Sequence, residues 1–440
     1  MTKTNRMAGF FIILAAIYYC WNAYVLPVRG DEAYLYLKSI GLSWTTLAPT
    51  GLIEYILKGM DFFGSSVLQL RLPSIIFISF SALIVYELTL KISDTYSAWF
   101  SMILFFVSPS ITYSYMSMTP NALLIFCFAS YVFSFYMTAS GDKSIKYYIW
   151  LAVSIIFAIS VDFSGILLLL NQIVYSFIKK DTLSDKKYLL VTALSAAALL
   201  IFVLCHYYGA FDLFYKYPVE PRNQFLYRFL FFIIIYLPVI FIIFATIRNK
   251  KIDNKVFPLF TACIIFAAGG IVFSIVSNYD VRNLGALLIP AVVLAGYYYE
   301  IYGYKITIGI ITAVLVLVSV YTNISSKSLL TPRYMDNTRI YESIRMSMQS
   351  ILGSYGNCIF SHDPELSSIL SYNTFTYPEA CTVDICESTS GVYVSKEKAD
   401  GLEKYFEEVH EANIYRFMSI KDGEFKFYFY QVNGLKKNQR

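Results

Sequence analysis

Long apolar segments recur along most of this chain, and they limit its fold more than any other feature. About eleven runs have the length and composition of a membrane-spanning helix. Because backbone groups inside a bilayer must be paired within the protein, the series predicts a transmembrane helical bundle. Asp162 and Gly165 interrupt what would otherwise be one run at 147–178. The runs lie near residues 8–28, 73–91, 97–117, 121–138, 147–160, 163–178, 188–208, 228–247, 256–277, 284–302 and 306–324.

The composition supports a membrane protein and excludes a nucleic-acid-binding class. Of the 440 residues, 57% are hydrophobic and 15% charged, whereas soluble domains carry roughly 25% charged residues. No basic stripe points to DNA or RNA. The first apolar run continues through Trp21 and Tyr24 to Pro27, which is longer than the apolar core of a signal peptide. We therefore expect an uncleaved first span.

The distribution of Lys and Arg predicts the topology. Alternate connections carry dense positive clusters, as the positive-inside rule requires of cytoplasmic segments. These connections contain Lys3 and Arg6, Lys91, GDKSIK at 141–146, KKDTLSDKK at 179–187, RNKKIDNK at 248–255 and Lys305. We expect a cytoplasmic N-terminus and, after an odd number of spans, a C-terminal region on the other side. In a bacterium this places the protein in the inner membrane with its C-terminal region in the periplasm.

Two polar parts of the chain are expected on the periplasmic side. The loop 29–72 is too long for a simple connection, and parts of it are expected to lie as amphipathic helices on the membrane surface. Residues 328–440 predict a small α/β domain, with helices near YESIRMSMQSIL, PELSSILSY and KADGLEKYFEEV, strands at NCIFSH and GVYVS, and a hairpin turning at KDGE. We therefore divide the chain into a membrane domain at 1–327 and a soluble domain at 328–440.

The ionisable residues of the outside loops are candidates for a polar site. Carboxylates such as Asp31, Glu32 and Asp162 can serve as a general base or orient a hydroxyl. Cations can hold a phosphate, and aromatic side chains such as Tyr34 can stack on sugar rings. The cationic candidates are Arg29, Lys38, Arg71 and Arg282. Charges at span ends also mark the water interface, so each residue has a structural alternative.

Five short motifs occur in a familiar order, and together they carry a family resemblance. They are DEAYLYL at 31–37, APTGLIEYIL at 48–57, FFG with LRLPSI at 62–75, MTPNALLIF at 118–126 and SVDFSG at 160–165. The chain thereby resembles the bacterial polyprenyl-phosphate-sugar glycosyltransferases of the GT-C superfamily, notably the protein mannosyltransferase-like group and the lipid A aminoarabinose transferases. The resemblance is carried by residues 8–180 and extends by topology to the remainder. It implies a polytopic helical GT-C fold with about eleven spans and a C-terminal α/β domain.

The resemblance implies a catalytic role for Asp31, the first-loop acid. It would accept the proton of an acceptor hydroxyl as the oxygen attacks the anomeric carbon of a sugar on a polyprenyl phosphate. The phosphate is an acidic leaving group, so one base with nearby cations suffices, and the sugar carbon is inverted. Glu32, Arg29, Arg71, Asp162, Arg282 and Tyr34 are the expected substrate-binding residues.

Three positions depart from the family pattern. Ala48-Pro49-Thr50 stands where the family has His/Lys-Pro-Pro, so the usual phosphate-facing cation is absent there. Asn121 replaces a common Asp, and Asp162 lies about where many relatives have Lys. Arg71, Arg282 or Lys38 would then contact the phosphate. As alternatives, Arg71 anchors the second span, Arg282 pairs with Asp280, and Asp162 is a plain turn residue.

The expected partners are a polyprenyl-phosphate sugar donor and a glycan, lipid or protein acceptor, with lipopolysaccharide or a surface glycan favoured. Protein O-glycosylation is an alternative acceptor chemistry. A lipid-linked-sugar flippase is the rival class, but spans nearly free of charge at their centres favour surface chemistry over transport. A non-catalytic scaffold is a third class, and the dense outside loop between the first two spans argues against it.

Cysteine and histidine give little sign of a cofactor. The three histidines are far apart in sequence, and no CxxC or His/Cys cluster indicates zinc. The outside acids can hold a divalent metal ion, but no motif requires one. A disulfide among Cys358, Cys381 and Cys386 is compatible with a periplasmic domain, and the sequence leaves all three pairings open.

Overall fold

The computed structural model divides the chain into two compact units. One contains Met1–Val25, Pro49–Ile53 and Ser65–Leu330, and the other contains Leu26–Ala48, Glu54–Gly64 and Thr331–Arg440. We call them the helical unit and the sheet unit. The structure describes residues 3–25, 32, 36, 52–62, 67–115, 118, 120–179, 185–207, 236–246, 253–276, 281–301, 305–324, 358–360, 379–381, 390–395, 413–422 and 425–433.

Apolar helices form the helical unit, in the places that the apolar runs predict. The helices are α1 (Lys3–Val25), α3 (Val67–Ile92), α4 (Thr95–Val107), α5 (Pro109–Tyr115), α6 (Pro120–Ala139), α7 (Ile145–Val161), α8 (Ile166–Ile178), α9 (Lys186–Tyr207), α10 (Tyr236–Thr246), α11 (Phe257–Val276), α12 (Ile289–Ile301) and α13 (Lys305–Ile324). Helix α2 (Leu52–Asp61) lies in the 29–72 loop, with the amphipathic character expected there.

Three described helical segments are long and apolar enough to cross a membrane by length and composition. They are Leu68–Ile92, Pro120–Ala139 and Lys186–Cys205. Shorter apolar segments of 10–17 residues lie at α1, α4, α7, α8, α10, α11 and α12. Two of the expected spans are interrupted. The run at 97–117 divides into α4 and α5 at Ser108, since Pro109 cannot donate a backbone hydrogen bond to a continuing helix. The run at 284–302 begins with a 3₁₀ segment, Val281–Leu288, before α12.

A turn at Asp162 separates α7 from α8, where the sequence shows a single interrupted run. The Asp162 amide donates to the Ala158 carbonyl at 3.0 Å and closes α7, while its Oδ1 accepts from the Ser164 amide at 2.7 Å and caps the 3₁₀ turn Phe163–Gly165. A Cβ on Gly165 would lie 2.4 Å from the Ala158 carbonyl carbon. Glycine therefore allows the close approach of two helix ends.

At the opposite end of the helical unit, the positively charged connections contain a repeated local structure. Asp185 Oδ1 accepts from the Lys187 amide at 2.9 Å, and Asp185 Oδ2 accepts from the Tyr148 hydroxyl at 2.5 Å. Asp253 repeats the pattern with the Lys255 amide at 3.0 Å and the Tyr297 hydroxyl at 2.7 Å. Each aspartate thus ties the start of one helix to the side of another.

Replacing Tyr148 by Phe tests this arrangement. Burial opposes ionisation of Asp185, but the Tyr148 hydroxyl, the amides of Lys187 and Tyr188 and the charge of Lys143 together hold its pKa below the ordinary value. A lowered pKa stabilises the fold above the pKa of the unfolded state, and this stabilisation is lost as the pH falls below about 4. Tyr148→Phe should lower the free energy of unfolding by about 1 kcal/mol at pH 7, because a hydrogen bond to a partly solvated carboxylate is lost.

Thermal unfolding in detergent between pH 3 and pH 8 measures the effect. The difference between wild type and Tyr148→Phe should be constant above pH 5 and shrink below pH 4. Tyr147→Phe is the matched control, because its ring lies under the Lys146 ammonium at 4.8 Å and keeps that contact without the hydroxyl. Equal unfolding of the two variants at pH 7 would refute the role of the hydroxyl.

A five-stranded mixed sheet forms the described C-terminal part of the sheet unit. Its order is β2-β1-β3-β5-β4, with β1 (Cys358–Phe360) parallel to β2 (Glu379–Cys381) and β3 (Ser390–Ser395). The hairpin of β4 (Asn413–Asp422) and β5 (Phe425–Asn433) is antiparallel, with Asp422 paired to Phe425, as the KDGE turn predicts. Val392, Tyr393 and Val394 are consecutive and all buried, so both faces of β3 are covered.

The strand register bears on one of the three cysteine pairings. Cys358 pairs with Glu379 and Cys381 pairs with Phe360, so the two cysteines are offset by two residues on neighbouring parallel strands. Strand spacing and rise then separate their Cα atoms by about 8 Å, which is more than a disulfide spans without backbone movement. Cys386 lies outside the described residues, as do the three helices expected in this domain.

Candidate functional site

The candidate site residues on the helical unit belong to elements that meet at one of its ends. Arg71 lies near the start of α3, Asn121 near the start of α6, and Asp162 just after α7. Arg282 lies in the 3₁₀ segment Val281–Leu288, which packs against α5 and α6. The rings of Phe163 and Phe273 approach to 6.1 Å and bring the end of α11 to the same place. The structure therefore gathers elements that are distant in sequence, as the predicted topology requires.

Arg71 is the best-defined charged group at this end. Its side chain is fully buried (0% exposed), and its Nη1 donates to the Ala23 carbonyl at 2.9 Å. Ala23 lies in the last turn of α1, where backbone carbonyls have no partner within the helix and where a positive charge is favoured by the helix dipole. Arg71 therefore closes the helix that leads into the segment carrying Asp31.

Aromatic and hydroxyl contacts extend this junction between α1 and α3. Tyr19 lies one turn before Ala23 and stacks on Tyr115 of α5, with ring centroids 4.0 Å apart. The Tyr115 hydroxyl shares a 2.5 Å hydrogen bond with Ser79 Oγ on α3. The end of α1 is thus held by two contacts about one helical turn apart. The pair Ser79–Tyr115 could not be predicted, because nothing in the sequence indicates that these two residues meet.

Asn121 and Asp162 are also buried at this end, with 4% and 8% of their surfaces exposed. The Ser74 hydroxyl donates to Met118 Sδ at 3.0 Å and ties α3 to the residues just before α6. Asp162 has the capping role of a turn residue, which was one of its two expected roles. A ligand-binding role for either side chain stays a prediction.

The first-loop acids are only partly within the described residues. Glu32 is fully buried (0% exposed) and Tyr36 nearly so, at 4%. Both belong to the sheet unit. The expected catalytic acid Asp31 and the expected binding residues Arg29 and Tyr34 lie outside the described residues, and the departure at Ala48 lies there too. The expectation that this acid pair serves the chemistry stays a prediction, with burial of Glu32 as its one structural observation.

A second group of buried polar side chains lies inside the bundle, where the sequence analysis named no residue. Asn171 Nδ2 donates to the Tyr131 hydroxyl at 2.9 Å, and Gln172 Nε2 donates to Thr192 Oγ1 at 2.8 Å. Two adjacent amides in the run LLLLNQIV were the available signal. Since polar side chains hold helices together in membranes, this group explains the packing of α8 against α6 and α9.

No group of three His, Cys, Asp or Glu side chains that could hold a metal ion occurs among the residues that the structure describes. Most of the 26–51 segment, with Asp31, lies outside that set. The chemistry available at the described end is therefore a buried guanidinium, a buried amide and a buried carboxylate. Such a set can bind an anionic, hydroxyl-bearing ligand.

Replacing Arg71 by Met tests its structural role at the end of α1. The variant keeps the side-chain length but leaves the Ala23 carbonyl without this donor, so the free energy of unfolding should fall by about 1–3 kcal/mol. Arg71→Lys should recover part of the loss. Thermal unfolding in detergent measures both, with Lys91→Met at the exposed other end of α3 as the control. An unchanged melting temperature would mean that Arg71 does not support α1.

Comparisons with known proteins define the class to which this fold belongs. Residues 52–207 match the family model described as dolichyl-phosphate-mannose-protein mannosyltransferase. The structure of ArnT from Cupriavidus metallidurans in the apo state superposes with a TM-score of 0.61 at 12% identity, over 97% of this chain and 98% of that one. The same protein bound to undecaprenyl phosphate gives 0.58 at 13% identity, with the same coverage. This chain is therefore a membrane protein with the GT-C fold, as its sequence motifs predict.

A more distant match agrees with this class. The Archaeoglobus fulgidus oligosaccharyltransferase, in complex with Zn and sulfate, gives a TM-score of 0.51 at 11% identity over 86% of this chain. The aligned part is 62% of that protein's length. No protein of curated function matches the sequence. The likeness to the solved structures establishes the fold of this chain, while the family model covers only residues 52–207, from α2 to α9.

Proposed function

We propose that the protein is a glycosyltransferase that moves a sugar from a polyprenyl monophosphate to an acceptor hydroxyl or phosphate. One observation carries this proposal: the GT-C fold extends over 97% of the chain in common with a protein solved with undecaprenyl phosphate bound. The five motifs in their family order, from Asp31 to Gly165, give independent support. The favoured acceptor is lipopolysaccharide, lipid A or a surface glycan. A protein hydroxyl is the alternative.

The proposed reaction is a single displacement at the anomeric carbon. Asp31 accepts the proton of the acceptor hydroxyl while that oxygen forms the new bond to the sugar carbon. The bond from this carbon to the phosphate oxygen breaks, and the polyprenyl phosphate leaves with the electron pair. Arg29 and Arg282 neutralise the phosphate, and Tyr34 stacks on the sugar ring. The configuration at the anomeric carbon is inverted.

Within this proposal Arg71 has two tasks. One Nη group pairs with the Ala23 carbonyl, and the charge of the same guanidinium lies at the end of the helical unit where the phosphate is proposed to bind. The cation that the family pattern would place at Ala48 is then supplied from α3. Glu32 and Asp162 are proposed to orient the acceptor or the sugar. We also propose a bacterial inner-membrane location, with a cytoplasmic N-terminus and a periplasmic domain at 328–440.

Transfer by purified protein tests the function. Wild-type protein in proteoliposomes should move label from one member of a panel of undecaprenyl-phosphate sugars to lipid A, glycan or peptide acceptors. The labelled acceptor class then decides between a lipid or glycan acceptor and a protein one. Failure of every donor with every acceptor, combined with movement of the intact donor across the bilayer, would replace the proposal by a flippase.

A further inference from the structure

The clearest surface feature that the proposed function leaves unexplained is a group of exposed lysines at the ends of α7 and α9. Lys143, Lys146, Lys186 and Lys187 are all exposed, and we call them the lysine patch. The Lys187 ammonium donates to the Lys143 carbonyl at 3.2 Å and lies 5.7 Å from the centroid of the Tyr148 ring. Together with the Tyr148–Asp185 hydrogen bond, these contacts hold the patch in one place.

Among the residues that the structure describes, the acids near the patch do not cancel its charge. Asp142 accepts from the Ser144 amide at 3.0 Å, and Asp185 accepts from the Tyr148 hydroxyl and the Lys187 amide. Four lysines and these two aspartates leave a net charge of +2. Both carboxylates are held by hydrogen bonds within the protein, whereas the exposed lysine side chains face solvent. The patch is therefore suited to an anionic partner.

Exposed apolar side chains continue directly from the lysines along both helices. On α7, Trp150 follows Lys146 by one turn and is 51% exposed. On α9, Leu190 and Leu194 follow Lys186 by one and two turns and are 60% and 51% exposed. Residues four apart lie on the same face of a helix. Each helix therefore presents a stripe that begins with a lysine and continues with exposed apolar side chains.

This combination selects one kind of partner. A nucleic acid or a soluble acidic protein would pair with the lysines but would leave the apolar stripes uncovered. Only 17% of the membrane-spanning part of α9 is buried inside the protein. Most of this helix therefore faces the surroundings of the helical unit. We propose that the lysine patch and the stripes bind an anionic phospholipid, with its head group on the lysines and its acyl chains along α7 and α9. This site is separate from the one proposed for the sugar donor, which lies at the opposite end of the helical unit.

Quenching of Trp150 by brominated phospholipids tests the proposal on the full-length protein. Vesicles contain brominated phosphatidylglycerol or brominated phosphatidylcholine, and Trp150→Phe identifies the signal that belongs to Trp150. Wild type should reach half-maximal quenching at a several-fold lower fraction of the anionic lipid. The double variant Lys146→Gln, Lys186→Gln should lose most of this preference, because each lysine near an anionic membrane contributes about 1 kcal/mol, or about fivefold.

A matched control removes two charges elsewhere. Arg6→Gln with Lys91→Gln neutralises exposed cations on α1 and α3 and should leave the preference unchanged. Because the contacts are electrostatic, 0.5 M salt should weaken the preference of wild type, which tests the proposal without any substitution. Equal quenching by both lipids in wild type, or equal preference in wild type and the double variant, would overturn the proposal. Protection of Trp150 from both lipids would overturn it in favour of a protein partner.

Discussion

Asp31→Asn should abolish sugar transfer while the protein stays folded. A positioned general base contributes about 10²–10⁴-fold to a rate, and asparagine keeps the shape of the side chain without accepting the proton. The loss should appear in kcat, with little change in the KM for the donor, because the reaction needs the base as the acceptor oxygen attacks. Steady-state transfer with a labelled undecaprenyl-phosphate sugar measures both constants.

A second acid from the same loop supplies the control. Asp61 ends α2 and carries the same charge, so Asp61→Asn should leave kcat within about twofold of wild type if Asp31 alone is the base. Glu32→Gln should show an intermediate loss if the buried carboxylate orients a substrate. Equal activity of wild type and Asp31→Asn would remove Asp31 as the base, even if the protein proved to be a glycosyltransferase.

Gly165→Ala should cause a clear loss of stability, because the added methyl group would overlap the backbone at the end of α7. The new Cβ would lie 2.4 Å from the Ala158 carbonyl carbon, 2.5 Å from the Ile159 nitrogen and 2.8 Å from the Ala158 oxygen. All three are backbone atoms, so the end of α7 must move. Overpacking of this kind costs about 1–3 kcal/mol or more, and the turn that holds Asp162 would be displaced with it.

Gly309→Ala is the matched control, because its Cβ would have no heavy atom within 4 Å and it lies inside α13. Alanine has the higher helix propensity, so this variant should melt at or slightly above the wild-type temperature. Thermal unfolding in detergent and the yield of monodisperse protein compare the two variants. An unchanged melting temperature for Gly165→Ala would show that α7 and α8 do not meet as closely as the structure indicates.

Much of the helical unit could be predicted, because a membrane-spanning helix is specified by the residues of its own segment. Length and apolar composition were sufficient to place α6, α7, α8, α9 and α11 to within a few residues. Breaks within spans were harder to predict. Pro109 lies inside a continuous apolar run, and the 3₁₀ segment before α12 has no local sequence signature. Strand β2 was missed because Glu379–Cys381 is only three residues long and does not alternate.

Contacts between distant residues could not be predicted from the sequence. Arg71 and Ala23 are 48 residues apart, and Tyr148 and Asp185 are 37 apart. Residue types suggested that Arg71 would bind phosphate or anchor a span, but only the packing of α1 against α3 shows that it closes a helix. The partners of a buried polar group depend on how the helices pack, and a single sequence does not contain that information. The order of the five motifs was informative because it reflects the whole topology rather than one contact.

The proposed function makes one measurement decisive. Purified protein is incubated with a labelled undecaprenyl-phosphate sugar and the acceptor identified in the panel, and mass spectrometry quantifies undecaprenyl phosphate and glycosylated acceptor together. The proposal predicts that both products appear in equal amounts with wild type and that neither appears with Asp31→Asn. Turnover of the donor without acceptor modification, or lipid movement without release of undecaprenyl phosphate, would contradict it.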